Sequence, residues 1–425
     1  VPSRRPSRSM ETHTHIADVR AGIPPVCLTL DQRLRHLAVL GATGVGKSTL
    51  LRHLASQDMA RGDGLLLLDP HGDLAHDVLG DVPRWRRNHV CFLNVPDLDW
   101  PVALNVLDDP GPDGRAAAVD AVVGAMRAIW VESWGPRMET ILRHTATVLM
   151  AAPGASLVQL PRFLTEDAFR AQSLRHATDP LTHAFFERRF DVWRETYRDE
   201  VIDPVLNKIE AFLAFPAIRN VLGQSASTLH LDQALARGRI VIVNLAKGLI
   251  GETAAHLMGA LLIARVQAAA MARASLPPSE RRPFHLLIDE AQNFGTEAIA
   301  ALLSEGRKYG TSLTVATQYL AALPERTRAS LLGNAGTLVV FRSSSEDAAL
   351  LAAKFDRTHQ SFNPTALLEL ERGEALVRTS GDEARLIRLP PPASAMASVA
   401  VIRQSRRHYA RRRADVEARI MRALG

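Results

Sequence analysis

The chain has 425 residues, 47% of them hydrophobic and 23% charged, with a formal net charge of +6. It is too long for one small domain and too apolar for a disordered or fibrous chain, so a large core or two to three domains are expected. Two cysteines, Cys27 and Cys91, offer neither a disulfide framework nor a metal-ligand spacing, which favours a reducing, cytoplasmic compartment.

Residues 1–25 are rich in Arg, Ser and Pro, lack periodicity and carry +2, so they read as a flexible basic arm. Val26-Cys27-Leu28-Thr29-Leu30 has the makings of a first strand. His36-Leu37-Ala38-Val39-Leu40 is a short buried strand, and Leu50-Leu51-Arg52-His53-Leu54-Ala55 a helix with one apolar face. Between them stands Gly41-Ala42-Thr43-Gly44-Val45-Gly46-Lys47-Ser48-Thr49, which meets the P-loop pattern at every fixed position and in the required strand–loop–helix context. The glycines let backbone N–H groups form a nest for phosphate oxygens at the positive end of the helix. Lys47 then serves the β- and γ-phosphates of ATP, and the Ser48 hydroxyl serves Mg²⁺.

Gly64 to Leu68 suits a strand buried on both faces, and Asp69-Pro70-His71-Gly72-Asp73 follows at its carboxyl end. Ligands bind at that end of open α/β sheets, so Asp69, His71 and Asp73 are candidates for the nucleotide's surroundings. A plain turn with Asp caps is the competing reading. A further strand runs through Val90-Cys91-Phe92-Leu93-Asn94-Val95. From 114 to 222 strand signals vanish and helical spacing takes over, which marks an all-helical insertion. The α/β rhythm returns over 223–390, with strands at Arg239–Leu245, Pro283–Glu290, Ser312–Gln318 and Gly336–Phe341 and a late hairpin over 374–387. Leu257 to Ala272 is the most apolar run, but Arg265 and Gln267 interrupt it, so it reads as a core helix and not a membrane span. The expected fold is therefore α/β, a P-loop core with a mostly parallel sheet in two parts, 26–113 and 223–390, around the insertion. Residues 391–425 form a basic tail helix, in which eight Arg face Asp415 and Glu417. Ile402, Tyr409, Val416 and Ile420 give that helix a narrow apolar seam for a neighbouring subunit, or the helix carries its arginines to a polyanion.

Hydrolysis needs more than a phosphate nest. The strand ending Leu286-Leu287-Ile288-Asp289-Glu290 has the Walker B arrangement, in which Asp289 serves Mg²⁺ beside Ser48 and Glu290 orients or deprotonates the attacking water. Gln318 ends the next strand, where an amide can sense the γ-phosphate. Arg307, in Glu305-Gly306-Arg307-Lys308-Tyr309-Gly310, is a candidate arginine finger for an adjacent subunit, although a helix C-terminus attracts basic residues in any case.

These motifs, with Val-Asn-Leu at 243–245, Ile-Asp-Glu-Ala-Gln-Asn-Phe at 288–294 and Ala-Thr-Gln at 316–318, together resemble the HerA–FtsK superfamily. Within it they are most similar to HerA-like ATPases and to the soluble part of conjugative coupling proteins of type IV secretion. The resemblance implies a RecA-like ATPase core, a hexameric ring, ATP sites between subunits and DNA moved through a central pore. It favours Arg307 as the trans-acting arginine and Gln318 as the sensor. The transmembrane helices of membrane-type coupling proteins and the N-terminal barrel of HerA are not seen, which favours a soluble relative or a truncated chain.

The leading expectation is a ring-forming ATPase that translocates duplex DNA in DNA transfer, end processing or antiphage defence. The competing ones are a secretion ATPase that moves protein and an ATP-gated scaffold that recruits a nuclease. No L-S-G-G-Q precedes Asp289, so an ABC-type ATPase is disfavoured. The 241 residues from Ser48 to Asp289 disfavour a DEAD-box-like helicase.

Overall fold

A computed structural model describes residues 13–17, 25–295, 297–355, 363–390 and 398–424. The chain divides into two compact units, one drawn from 1–92, 232–244 and 269–405, the other from 93–231, 245–268 and 406–425.

The first unit begins with β1 (His13–Ala17) and β2 (Val26–Thr29), an antiparallel pair forming its own two-stranded sheet. This corrects the reading of 1–25 as a flexible arm without structure, while the strand expected at Val26–Leu30 is β2, paired with β1. Thr14, Ile16 and Ala17 are buried, and the Gln57 side chain donates to the His15 carbonyl and accepts from its N–H at 2.8 Å each. Five residues thus gain a partner strand and a side-chain clamp, which offset the entropy of ordering them. The rest of the arm, 1–12 and 18–24, lies outside the described residues.

Thr29 caps α1 (Leu30–Leu34) with a reciprocal box to Gln32. Then follow β3 (Leu37–Leu40), α2 (Lys47–Arg61), β4 (Gly64–Asp69), α3 (Asp73–Gly80) and β5 (Val90–Asn94). The later core elements are β6 (Ile240–Asn244), β7 (Phe284–Ile288), β8 (Thr311–Thr317), β9 (Thr337–Phe341), β10 (Glu374–Thr379) and β11 (Arg385–Arg388). They build one nine-stranded sheet in the order β11-β10-β9-β3-β8-β7-β4-β6-β5. The pairings from β9 through β3, β8, β7 and β4 to β6 are parallel, and β10 and β11 add an antiparallel hairpin at one edge. β3, β4, β6, β7, β8 and β9 are buried at every position, as parallel strands covered on both faces must be. At the other edge the Ser405 hydroxyl accepts from the Phe92 N–H of β5 at 2.7 Å, which satisfies part of that open edge.

The second unit is helical among the described residues. In chain order it holds α4 (Pro112–Ile129), α5 (Pro136–Ala151), α6 (Leu160–Thr165), α7 (Asp167–Leu174), α8 (Pro180–Phe185), α9 (Glu195–Leu213) and α10 (Pro216–Leu222). α11 (Leu231–Arg237) falls in the first unit from Asp232 onward, and the second unit resumes with α12 (Lys247–Ile250) and most of α13 (Glu252–Met271), the latter long and apolar enough to cross a membrane by composition but mostly buried in the protein. Phe163, Phe185, Phe186, Phe190 and Trp193 form a run of edge-to-face and tilted rings with centroids 5.1–6.3 Å apart.

The remaining helices of the first unit are α14 (Glu297–Glu305), α15 (Glu325–Asn334) and α16 (Ser345–Phe355). Thr296, just before α14, lies outside the described residues. The tail is two helices, α17 (Val399–Tyr409) and α18 (Arg413–Leu424), and not the single one expected. Ala410 breaks it by forming an antiparallel bridge with Val102. Tyr409, Val416 and Ile420 of the expected seam are buried in their own chain, so they are not a seam held out to a neighbour.

Candidate functional site

The fold brings the P-loop and the acids of a distant strand to the same edge of the sheet. β3 and β7 both flank β8 in parallel, so their carboxyl ends emerge side by side. The loop 41–46 leaves β3 and enters α2 at Lys47. Gly44 has φ +76° with open space around it, so the left-handed backbone alone requires glycine there. Gly46 has φ +129°, and a Cβ would also come 3.1 Å from the Phe341 ring. Val45 is buried and anchors the loop in the core. Backbone bonds fix the loop from outside: Ala42 N–H donates to Arg342 O at 2.8 Å, Gly41 N–H to Thr317 O at 3.3 Å, and Gly373 N–H to Val45 O at 2.9 Å. Thr43 and Ser48 are exposed, and Thr49 is half-buried at the start of α2.

Lys47 Nζ donates to the carbonyls of Gly41 and Ala42 at 2.8 and 2.9 Å and lies 3.8 Å from Glu290 Oε1. Ser48 Oγ donates to Asp289 Oδ2 at 2.9 Å, across 241 residues of sequence. Gln318 Nε2 sits 2.9 Å from both Glu290 carboxylate oxygens. Lys47, Ser48, Asp289, Glu290 and Gln318 therefore form one contiguous group.

Glu290 is held in the left-handed region, φ 50° and ψ 53°, a conformation that costs a non-glycine residue about 1 kcal/mol or more. Every polar group of the residue is engaged. Its N–H donates to Asp289 Oδ1 at 3.1 Å, and its carbonyl accepts from the Asn293 N–H at 2.9 Å and Nδ2 at 3.0 Å. Gln292 Nε2 donates to Glu290 Oε2, and Gln292 Oε1 in turn accepts from Thr317 Oγ1 at 2.8 Å. Gln292 is a residue to which sequence reasoning gave no role. Its place two residues beyond the glutamate was visible, but its partner Thr317 lies on another strand.

Asp69 answers the question left open by its motif. Its two oxygens accept from the His71 and Ala75 N–H groups at 2.8 Å each, so it builds the turn and opens α3. It also lies close enough for its charge to act on Asp289. His71 and Asp73 are exposed on that turn, and among the described residues neither side chain hydrogen-bonds or ion-pairs with the group around Lys47.

The electrostatics are unbalanced. Burial pushes the Asp289 carboxyl up to about 6; the Asp69 and Glu290 charges add to this, while the Ser48 hydroxyl and Lys47 oppose it. Burial likewise lowers the Lys47 ammonium, against the pull of Glu290 and Asp289. Ser48 and Asp289 offer hard oxygen donors in contact, which fits magnesium better than a soft metal.

Arg307 does not join the group. It lies on a 3-10 turn, Gly306–Tyr309, ahead of β8, whereas Gln318 follows that strand. Seven residues of strand separate the two ends by about 20 Å. Arg307 is half exposed and pairs with Asp31 of α1 at 2.9 Å, beside the Arg35–Asp31 pair at 2.8 Å.

At that amino edge a second polar cluster is buried. Arg33 donates to Thr314 Oγ1 at 2.8 Å and to Asp58 Oδ2 at 3.1 Å. Arg61 pairs with Asp58 and, at 3.0 Å, with Asp63. His285 reaches Ser312 Oγ at 2.7 Å and Asp63 Oδ2 at 3.4 Å. Asp58, Asp63 and His285 offer metal-ligand atoms within 4.8 Å of one another, but two guanidiniums already neutralise the two carboxylates. The cluster is therefore a charge-balanced brace under the sheet.

A phosphate-nest loop, a Ser–Asp pair and a clamped glutamate at the carboxyl edge of a mostly parallel sheet define a P-loop NTPase core. The comparisons refine that class. The family model "Helicase HerA, central domain" matches residues 15–86, and "TraM recognition site of TraD and TraG" matches 283–355. Among solved structures, the plasmid coupling protein TrwB in complex with the non-hydrolysable GTP analogue GDPNP shares 21% identity, covering 90% of this chain and 91% of that chain, with a TM-score of 0.64. TrwB in complex with ADP and Mg²⁺ shares 18%, covering 88% and 89%, with a TM-score of 0.62. An unbound form of TrwB, called a bacterial conjugative coupling protein, shares 17% over 88% and 89%, with a TM-score of 0.63. A comparison with curated proteins gives no match. The chain therefore has the RecA-like P-loop fold of TrwB, and its two matched segments are similar to HerA-type and TraD/TraG-type P-loop ATPases.

Proposed function

We propose that this chain is an ATP-driven motor that moves duplex DNA, hydrolysing ATP at sites shared between the subunits of a hexameric ring. The observation that carries the reading is the Glu290 carboxylate, fixed by Gln318 at 2.9 Å, 3.8 Å from Lys47 and next in sequence to the Asp289–Ser48 pair. In this reading the N–H groups of the loop bind the phosphates. Lys47 exchanges the Gly41 and Ala42 carbonyls for phosphate oxygens, and Ser48 and Asp289 hold Mg²⁺. When bound, the ion offsets phosphate charge. Glu290 takes the proton of the attacking water, and Gln318 keeps its carboxylate aimed.

Arg307 supports a shared site. It lies about 20 Å along β8 from Gln318, so it can serve a γ-phosphate only in another subunit. Similarity to TrwB and to the HerA central domain supports DNA as the cargo. DNA transfer, end processing and antiphage defence in the cytoplasm are the settings such a motor suits, with a nuclease or transfer component as partner.

Displacement of a triplex-forming oligonucleotide from duplex DNA tests the motor. Displacement that needs ATP and stops in Lys47→Ala is expected. ATP turnover indifferent to duplex DNA, with no displacement, would overturn DNA as cargo and favour a protein substrate. Mixing Arg307→Ala with Lys47→Ala chains should restore part of the turnover that each lacks alone; silence at every ratio would remove Arg307 from the site.

A further inference from the structure

We propose that the junction of α17 and α18 is a docking platform for the phosphate backbone of duplex DNA, built from residues outside the nucleotide site. The proposal rests on the DNA-motor reading and names a surface that this reading leaves out. The junction is rigid. Arg411 N–H donates to Pro101 O at 3.1 Å, Arg413 N–H donates to Asp99 O at 3.0 Å, and Ala410 bridges Val102. The Arg406 and Arg412 guanidiniums each lie 5.9 Å from the Trp100 ring centre. Three consecutive arginines, Arg411 to Arg413, are thus fixed at a corner, unlike a basic tail that loses entropy on binding.

The platform is also under-neutralised. Asp97 takes Arg406 at 2.6 Å and Glu417 takes Arg413 at 2.7 Å. Among the described residues no acid pairs with Arg407, Arg411, Arg412, Arg419 or Arg422. Asp99 and Asp415 are the exposed acids of the same stretch left without an arginine, so the local excess stays positive. Burial and the Arg419 charge both lower the Arg411 guanidinium from its ordinary value, so like charges are held together at some cost. A polyanion relieves that cost, and guanidinium forks suit phosphate oxygens. The twelve residues of α18 span about 18 Å, over which duplex DNA carries about ten charges.

The test uses the full chain without nucleotide and a 30-bp duplex followed by fluorescence anisotropy between about 50 and 200 mM salt. Replacing Arg407, Arg411, Arg412 and Arg419 by Ala should lower the slope of log affinity against log salt by roughly 3 to 4. The same four positions changed to Lys should keep slope and affinity, and ATP turnover without DNA should be unaltered in both. If the alanine chain fails to fold, the single Arg412→Glu and Arg419→Glu chains are scored in its place, each with a slope reduced by about 1. An unchanged slope overturns the platform. So does a loss confined to phosphatidylserine vesicles, which would make the surface a membrane contact. Triplex displacement separates the two ideas: a reduced slope without ATP-driven displacement in the parent chain keeps the platform and removes the motor, and the reverse result removes the platform alone.

Discussion

The sheet buries charge at both edges, and the two edges treat it oppositely. At the amino edge, Arg33 and Arg61 balance Asp58 and Asp63, with His285, Ser312 and Thr314 closing the network. At the carboxyl edge, Asp69, Glu290 and Asp289 carry charges that bear on one another, and Lys47 is the cation that opposes them. The same elements supply both clusters: α2 runs from Lys47 to Asp58 and Arg61, and β7 from His285 to the residue before Asp289. A charge-balanced buried cluster braces the fold and does nothing more. An unbalanced one is stable only because the fold over-determines it, and it becomes useful when phosphate and a cation arrive. The two ends of one helix therefore separate stability from chemistry.

That division can be broken by substitution. Arg33→Met removes half of a fully buried ion pair and should cost about 3–5 kcal/mol of stability, read as a lowered denaturation midpoint. Turnover per folded molecule should stay within a few-fold of the parent, and a specific loss of turnover would mean that the edges are coupled.

The next effect is a pH dependence from a histidine near the brace. His36 is buried, with φ 66°, and its Nδ1 accepts from Leu313 N–H at 3.0 Å. Burial lowers its pKa to about 4, with the Arg33 and Arg307 charges adding to the shift. The unfolded chain then binds the proton first, at its ordinary value of 6.5, so stability is full above that pH and is lost as pH falls through 6.5 towards 4. The loss should approach about 3 kcal/mol from this residue. His36→Asn keeps an acceptor and tolerates positive φ, so it should flatten that part of the curve; an unchanged curve would mean that another group carries it.

The smallest effect sharpens the carboxyl edge. Gln292→Ala removes one donor to the Glu290 carboxylate and frees Thr317. A hydrogen bond to a charged group is worth about 1.5–3 kcal/mol, so kcat should fall about 10- to 100-fold with KM little changed. A rise in KM alone would place Gln292 in binding and not in positioning.

The carboxyl edge was legible in the sequence because its residues sit in short local patterns. Gly41–Thr49 fixes its own loop, and an apolar strand ending in Asp289-Glu290 declares its direction. The contact of Ser48 with Asp289 followed once both strands were placed in a parallel sheet. The amino edge stayed hidden because Arg33, Asp58, Asp63 and His285 come from α1, α2, the turn after α2 and β7, and no local pattern joins them. The strand His13–Ala17 was obscured by its basic neighbours, since the alternation Thr14, Ile16 spans too few residues to outweigh composition. The division of the tail into α17 and α18 depends on Val102 and Pro101, which lie some 300 residues earlier. Arg307 was legible as a cation after a helix, but its distance from Gln318 became clear only with β8 between them.

The central claim is that Glu290 at the carboxyl edge hydrolyses a nucleotide bound by the P-loop. One measurement reaches it most directly: ATP binding and ATP turnover determined on the same preparation of the Glu290→Gln chain. ATP should bind with near-parental affinity while turnover falls by about 10²–10⁴. Turnover undiminished in that chain would contradict the account.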